Sequence, residues 1–332
     1  MTTAQVQGAA PPTTAAGGPT TGPAKPRRRG HLHRTNGIAY LMLAPMIILL
    51  LIFVIIPFFQ AAYLSFFDFS FYLPSTFVGL QNYANVLADS QFVTSLWRGV
   101  LFAVMVVPAG LVLAFIFASV VRGMGRRLAS IVKTSVYVPT IISGVIASIV
   151  FTLIYDYSGG VLNWGLALIL DPIRAMLGMD AFEPIAWLAE PSLALPALAI
   201  PAIWIGFGVT ALIMLAGMLD IPESYYESAA LEGANWWQQM VFITIPMLKN
   251  VLIYLLIAGC TASIQQLELP LIMTQGGPLD STMMPNLYIF LHFTQDDRQG
   301  QPLAAALMLF LVLGAISAII FRLINSEKSQ EG

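Results

Sequence analysis

The feature that most constrains this chain is a series of long stretches without a single Asp, Glu, Lys or Arg. They run from Thr35 to Phe67, Gly99 to Val121, Thr134 to Tyr155, Pro191 to Leu219, Asn250 to Leu267 and Gln299 to Phe321. A helix needs about 20 apolar residues to cross a bilayer. The chain therefore reads as an all-α membrane protein with six transmembrane helices, at 38–60, 97–121, 134–155, 193–219, 249–273 and 302–324. Proline interrupts several of them, which membrane helices tolerate better than soluble ones. Only 10% of residues are charged, against about 25% in a soluble domain, which excludes an ordinary soluble enzyme. The net charge of −2 offers no basic surface to nucleic acid. Cys260 is the one cysteine, so neither a disulfide framework nor a cysteine zinc site is available.

Lys and Arg set the expected orientation. Six spans place both termini on one side. That side would hold Lys25, Arg27, Arg28, Arg29, Arg34, Arg122, Arg126, Arg127, Lys133, Lys249, Arg322 and Lys328, and the other only Arg98, Arg174 and Arg298. Basic residues collect on the cytoplasmic side, so both termini are expected in the cytoplasm. Residues 1–36 are rich in Pro, Ala, Thr and Gly and end in a basic cluster, a composition that cannot build a core. They read as a disordered cytoplasmic tail. Residues 37–324 form the membrane domain, and 325–332 a second cytoplasmic tail. His31, His33 and His292 fall in the first tail or an outer loop without ligand spacing.

Among the connections, 220–248 has a structure of its own. Asp220 with Glu223 fits a capping box, with Pro222 in the first turn. Gly233 is a natural helix stop, and Asn235 with Gln238 fits a second capping box. The loop thus reads as helix, sharp glycine turn, helix. It carries no nucleophile–base pair, metal-ligand spacing or phosphate loop, so the chain is expected not to be an enzyme. Its small and aromatic side chains form a knob suited to a groove on another protein, or an interfacial helix pair that only tethers two spans.

Glu227-Ser228-Ala229, three residues, Gly233, nine residues and Ile243-Thr244-Ile245-Pro246 resemble the EAA motif of ABC-importer permeases. Ser228, Glu232 and Ile245 are mild departures from its usual Ala, Asp and Leu. Phe77-Val78-Gly79-Leu80-Gln81-Asn82-Tyr83, Gly160-Val161-Leu162-Asn163 and Thr274-Gln275-Gly276-Gly277-Pro278 also resemble segments of carbohydrate-uptake permeases, the branch with the maltose and glycerol-phosphate systems. The resemblance implies a type I ABC importer permease fold in a bacterial or archaeal cell membrane. It implies a second, homologous permease subunit, a dimer of ATP-hydrolysing subunits and an extracytoplasmic solute-binding protein as partners, with a carbohydrate, of di- or oligosaccharide size, as cargo. Glu227, Ser228, Ala229, Gly233, Ala234 and Pro246 would couple to the ATPase. No Gly-x-x-x-x-Gly-Lys-Ser/Thr occurs, so ATP and magnesium would be held by the ATPase subunits and this chain needs no cofactor.

Polar residues in spans are expensive and hence functional candidates. Gly259, Ser263 and Gln266 stand at i, i+4 and i+7, one helical stripe that could hydrogen-bond sugar hydroxyls. Interhelical hydrogen bonding is the competing role. The resemblance adds Gly206 and Val209 from the preceding span, with Val209 standing where an aromatic platform occurs in the maltose-type permeases. The rival class is an ion-gradient-driven secondary transporter. It would need buried acids or histidines, and Glu268 is the one such residue in the spans.

Overall fold

The computed structural model describes residues 32–325, with side chains described for 40–324. The sequence readings for residues 1–31 and 326–332, including most of both tails and the basic cluster up to Arg29, lie outside the described residues. The chain divides into two compact units at Pro57. In the first, α1 (Leu32–Leu50) runs into a π-helical turn at Leu51–Ile55. Then α2 (Ile56–Leu64) begins.

The second unit starts at Phe58. A two-residue antiparallel ladder joins β1 (Phe67–Asp68) to β2 (Thr76–Phe77), with Phe67 opposite Phe77. The helices α3 (Gln81–Ala88), α4 (Ser90–Arg122), α5 (Arg126–Ile141), α6 (Gly144–Ile154), α7 (Val161–Met176) and α8 (Pro191–Leu219) follow. Next come α9 (Glu223–Leu231), α10 (Trp236–Gln239), α11 (Ile245–Met247), α12 (Lys249–Ile264), α13 (Glu268–Met273), α14 (Pro285–Gln295) and α15 (Gly300–Asn325).

Five helical segments are long and apolar enough to cross a membrane: Tyr40–Leu64, Ser90–Arg122, Pro191–Leu219, Lys249–Met273 and Gly300–Ile324. The remaining expected span, the third at 134–155, corresponds to a bent pair, because α5 and α6 meet at a 93° bend. Ile142 and Ser143 are extended, and the Ser143 hydroxyl accepts the Val145 N–H to start α6. Pro139 has no N–H to give to the last turn of α5. The fifth span is also interrupted, at residues 265–267. Pro270 cannot donate to the Gln266 carbonyl, which removes one helical bond at that point. The carbonyl freed at Gln265 accepts the Asn286 side-chain amide at 2.7 Å, a partner that a backbone group at membrane depth needs.

The segments that carried the resemblance mostly hold loops together. The Asn82 amide donates to the carbonyls of Ser65 and Phe67, both at 2.8 Å. The Asn163 carbonyl oxygen accepts from Ile185 N–H and Trp187 Nε1, while its amide donates to the Ile185 carbonyl. Buried Thr282 bonds Thr274 at 2.7 Å across the Gly-Gly-Pro turn. Next to Asn163, the Gly159 N–H and the Ser158 hydroxyl hold the Asp156 carboxyl below its usual range.

Lipid is as apolar as a leucine side chain, so close fit rather than water exclusion joins membrane helices. The main seam is between α4 and α8. At one level Ala114, Ala118 and Ala211 let the backbones approach around Met214, Met218 and Leu248, all fully buried. At another level Phe102, Leu195, Leu198, Leu269 and Met284 form a second cluster. Between these levels lies a cavity.

Candidate functional site

The knob at 220–248 is built by local rules. An anticipated capping box at Asp220 and Glu223 does not form. Asp220 closes α8 instead, its N–H bonded to the Ala216 carbonyl, and α9 starts after Pro222 without a side-chain cap. The other end is as expected. Gly233 has φ +84°, the left-handed region that glycine enters without steric cost. Its N–H bonds the Ala230 carbonyl, and the Ala234 N–H bonds that of Ala229 at 2.9 Å. Both bonds together make a Schellman stop. The Asn235–Gln238 capping box is complete, with bonds of 2.8 and 2.9 Å.

This knob is clamped to the helices behind it. The Arg122 guanidinium at the end of α4 lies 4.1 Å from the Tyr226 ring centre, a cation–π contact. The Tyr226 hydroxyl pairs with buried Thr244 at 2.9 Å. Ile221 and Met240 are buried on either side. Of the expected coupling residues, Glu227, Ser228 and Gly233 are exposed, and Ala229 and Ala234 are half-buried beside them. Pro246 is exposed on the separate short helix α11. Leu231, Trp236 and Trp237 are also exposed, the last two with stacked rings 5.3 Å apart. Sequence reasoning missed the clamp. Arg122 and Tyr226 stand far apart in the chain, and no local pattern joins them.

The cavity has a volume of about 400 Å³, within the ~300–1,000 Å³ of small-molecule sites. Gly206, Val209, Gly259, Ser263 and Gln266 all line it, so the structure brings the five sugar-contact candidates to one place. Their route there differs from expectation in one respect. Gln266 lies past the end of α12, its N–H bonded to the Ser263 carbonyl at 3.2 Å. The break, rather than a continuous helical stripe, delivers it. Gly259 also faces α4, where an added Cβ would stand 3.2 Å from Val107. Trp204 does not line the cavity but packs edge-on to Phe151 at 5.7 Å.

Thr210, Tyr254, Gly144 and Glu268 are lining residues that the sequence did not assign. Thr210 follows Gly206 by one helical turn, a usable signal. Gly144 carried none. The walls are mostly apolar, and hydroxyls, an amide and one carboxylate supply the polar contacts. Such a lining can stack on and hydrogen-bond a polyhydroxyl solute. Among the described residues it holds no pair of groups placed for bond cleavage.

Residues 86–330 match the family of binding-protein-dependent transport system inner membrane components. The trehalose/maltose transport system permease protein MalF of Thermococcus litoralis is 29% identical over 293 residues, which cover 87% of this chain and 94% of that one. The lactose transport system permease protein LacF of Rhizobium radiobacter is 30% identical over 253 residues, 76% of this chain and 81% of the relative. The fold is that of a chain in the crystal structure of a bacterial ABC transporter involved in the import of the acidic polysaccharide alginate. There the TM-score is 0.71 at 21% identity, covering 88% of this chain and 96% of that chain.

Proposed function

Because the chain belongs to the family of binding-protein-dependent transport system inner membrane components, we propose that it is one permease half of an ATP-driven carbohydrate importer. Its named relatives in sugar uptake support the cargo class. A second permease would complete the path, and an extracytoplasmic binding protein would deliver the sugar. Two ATPase subunits would receive the knob at 220–248 on the cytoplasmic side, where the termini also lie.

One observation carries this reading. The two helices that leave the knob, α8 and α12, are two of the helices that line the cavity, through Gly206, Val209 and Thr210 on one and Gly259 and Ser263 on the other. A push on the knob therefore tilts two cavity walls together. ATP-driven closure of the ATPase pair would move the knob, open the cavity outward and admit solute, and hydrolysis would return it. A stiff knob transmits such a push, and the Schellman stop, the capping box and the Arg122–Tyr226 clamp all supply stiffness.

The test is ATP-driven sugar uptake by the complete importer in liposomes, with Gly233→Val as the diagnostic variant. A β-branched residue at φ +84° costs about 1–2 kcal/mol or more and distorts the knob, while no neighbour lies within 4 Å of an added Cβ. Gly233→Val should insert and assemble but lose uptake and solute-stimulated ATP hydrolysis. Normal transport by this variant would remove the lever role.

A further inference from the structure

Among the described residues Glu268 is the sole charged one lining the cavity, and no Lys, Arg or His of α4, α6, α8, α12 or α13 lines it. Its carboxylate occupies the space that a Cβ at Gly144 would need. It therefore sits where the two breaks meet, at the first residue of α6 and the first turn of α13. Negative charge is favoured near a helix start, where backbone N–H groups lack helical partners. A lone acid in a chamber with mostly apolar walls also sets the sign of the local potential, because low-dielectric walls concentrate its field.

We infer that Glu268, seated in the notch left by Gly144, is the charge filter of the cavity: the path takes uncharged polyhydroxyl solutes and rejects anionic ones such as uronates, sulfonates and phosphates. The inference rests on the transport reading above and narrows it. Sugar hydroxyls can donate to the carboxylate. A solute carboxylate or phosphate would meet a like charge with no cation on this chain's described lining to offset it, an expense that rises steeply in a low dielectric. The likeness to the alginate importer is one of fold and carries no acidic cargo to this chain.

The filter can be read without knowing the solute. The assembled complex carrying Val209→Cys on a Cys260→Ser background is treated with a cationic and an anionic methanethiosulfonate reagent of similar size. Tyr254→Cys supplies a second reporter in the same cavity. The cationic reagent should win by on the order of tenfold, relative to the two rates with a free thiol. Glu268→Gln should bring that preference close to the free-thiol ratio, and Glu268→Asp should keep it. A free-thiol ratio at both reporters, a preference unmoved by Glu268→Gln, or silence toward both reagents would each overturn the filter. Absence of ATP-driven uptake of any saccharide would instead strike the importer reading, whatever the reagent ratio.

Discussion

At the scale of single residues, the cavity depends on side chains whose polar atoms are few and therefore individually consequential. Gln266 combines an amide with a position at a helix break, where its backbone is not committed to a regular ladder. Gln266→Ala should raise the sugar concentration needed for half-maximal uptake by about tenfold, the equivalent of one lost hydrogen bond of roughly 1.4 kcal/mol, while basal ATP hydrolysis of the complex persists. An unchanged half-maximal concentration would remove Gln266 from the site. Residue-level reasoning from the sequence succeeded where the determinant is local. Gly233 and the Asn235–Gln238 box need only their immediate neighbours, and both are in place. The Asp220 box failed because a competing local demand won. The preceding helix extends through Leu219 and uses the Asp220 N–H for its own last turn. The seat of Glu268 against Gly144 was not legible at all, because it joins residues from two separate spans.

At the scale of elements, close approach between helices is bought with small residues. Gly208 on α8 faces α5 so tightly that an added Cβ would lie 2.5 Å from the Val136 carbonyl oxygen and 2.6 Å from the Thr140 hydroxyl. The obstacle is backbone, which cannot swing aside. Gly208→Leu should therefore force α5 away from α8, at a loss of about 1–3 kcal/mol, seen as a lower thermal unfolding midpoint of the purified permease. An unchanged midpoint would show that α5 is free to move. The broken elements escaped sequence reading for a related reason. Prolines at 139 and 270 fall in expected spans, but so do prolines at 108, 196 and 201, and the latter three stay inside continuous helices. Hydropathy counts apolar residues but does not say which proline a neighbouring helix will accommodate. Helix α14 was read as part of an outer loop for the opposite reason. Its 11 residues are too few to register as a span.

At the scale of the whole molecule, the six apolar runs, the knob and the family were all legible, because hydropathy and motif spacing survive without knowledge of packing. The proposed orientation has a direct check. On a Cys260→Ser background, Ser228→Cys in the knob should react with a membrane-impermeant maleimide only after the cytoplasmic face is opened, and Leu279→Cys should react in intact cells. Leu279 is 87% exposed in the turn after α13, so access does not limit the reaction. The reverse pattern would invert the proposed topology. One dimension of the frame has a mechanical sequel. At 1.5 Å per residue, the 33 residues of α4 and the 29 of α8 reach about 50 and 44 Å, well past a hydrocarbon slab of about 30 Å. Tilting absorbs only part of that surplus. The remainder is overhang, a pair of stilts that on the proposed topology lift Arg122 and Asp220 into the headgroup layer, where a water-borne partner could reach them without denting the bilayer.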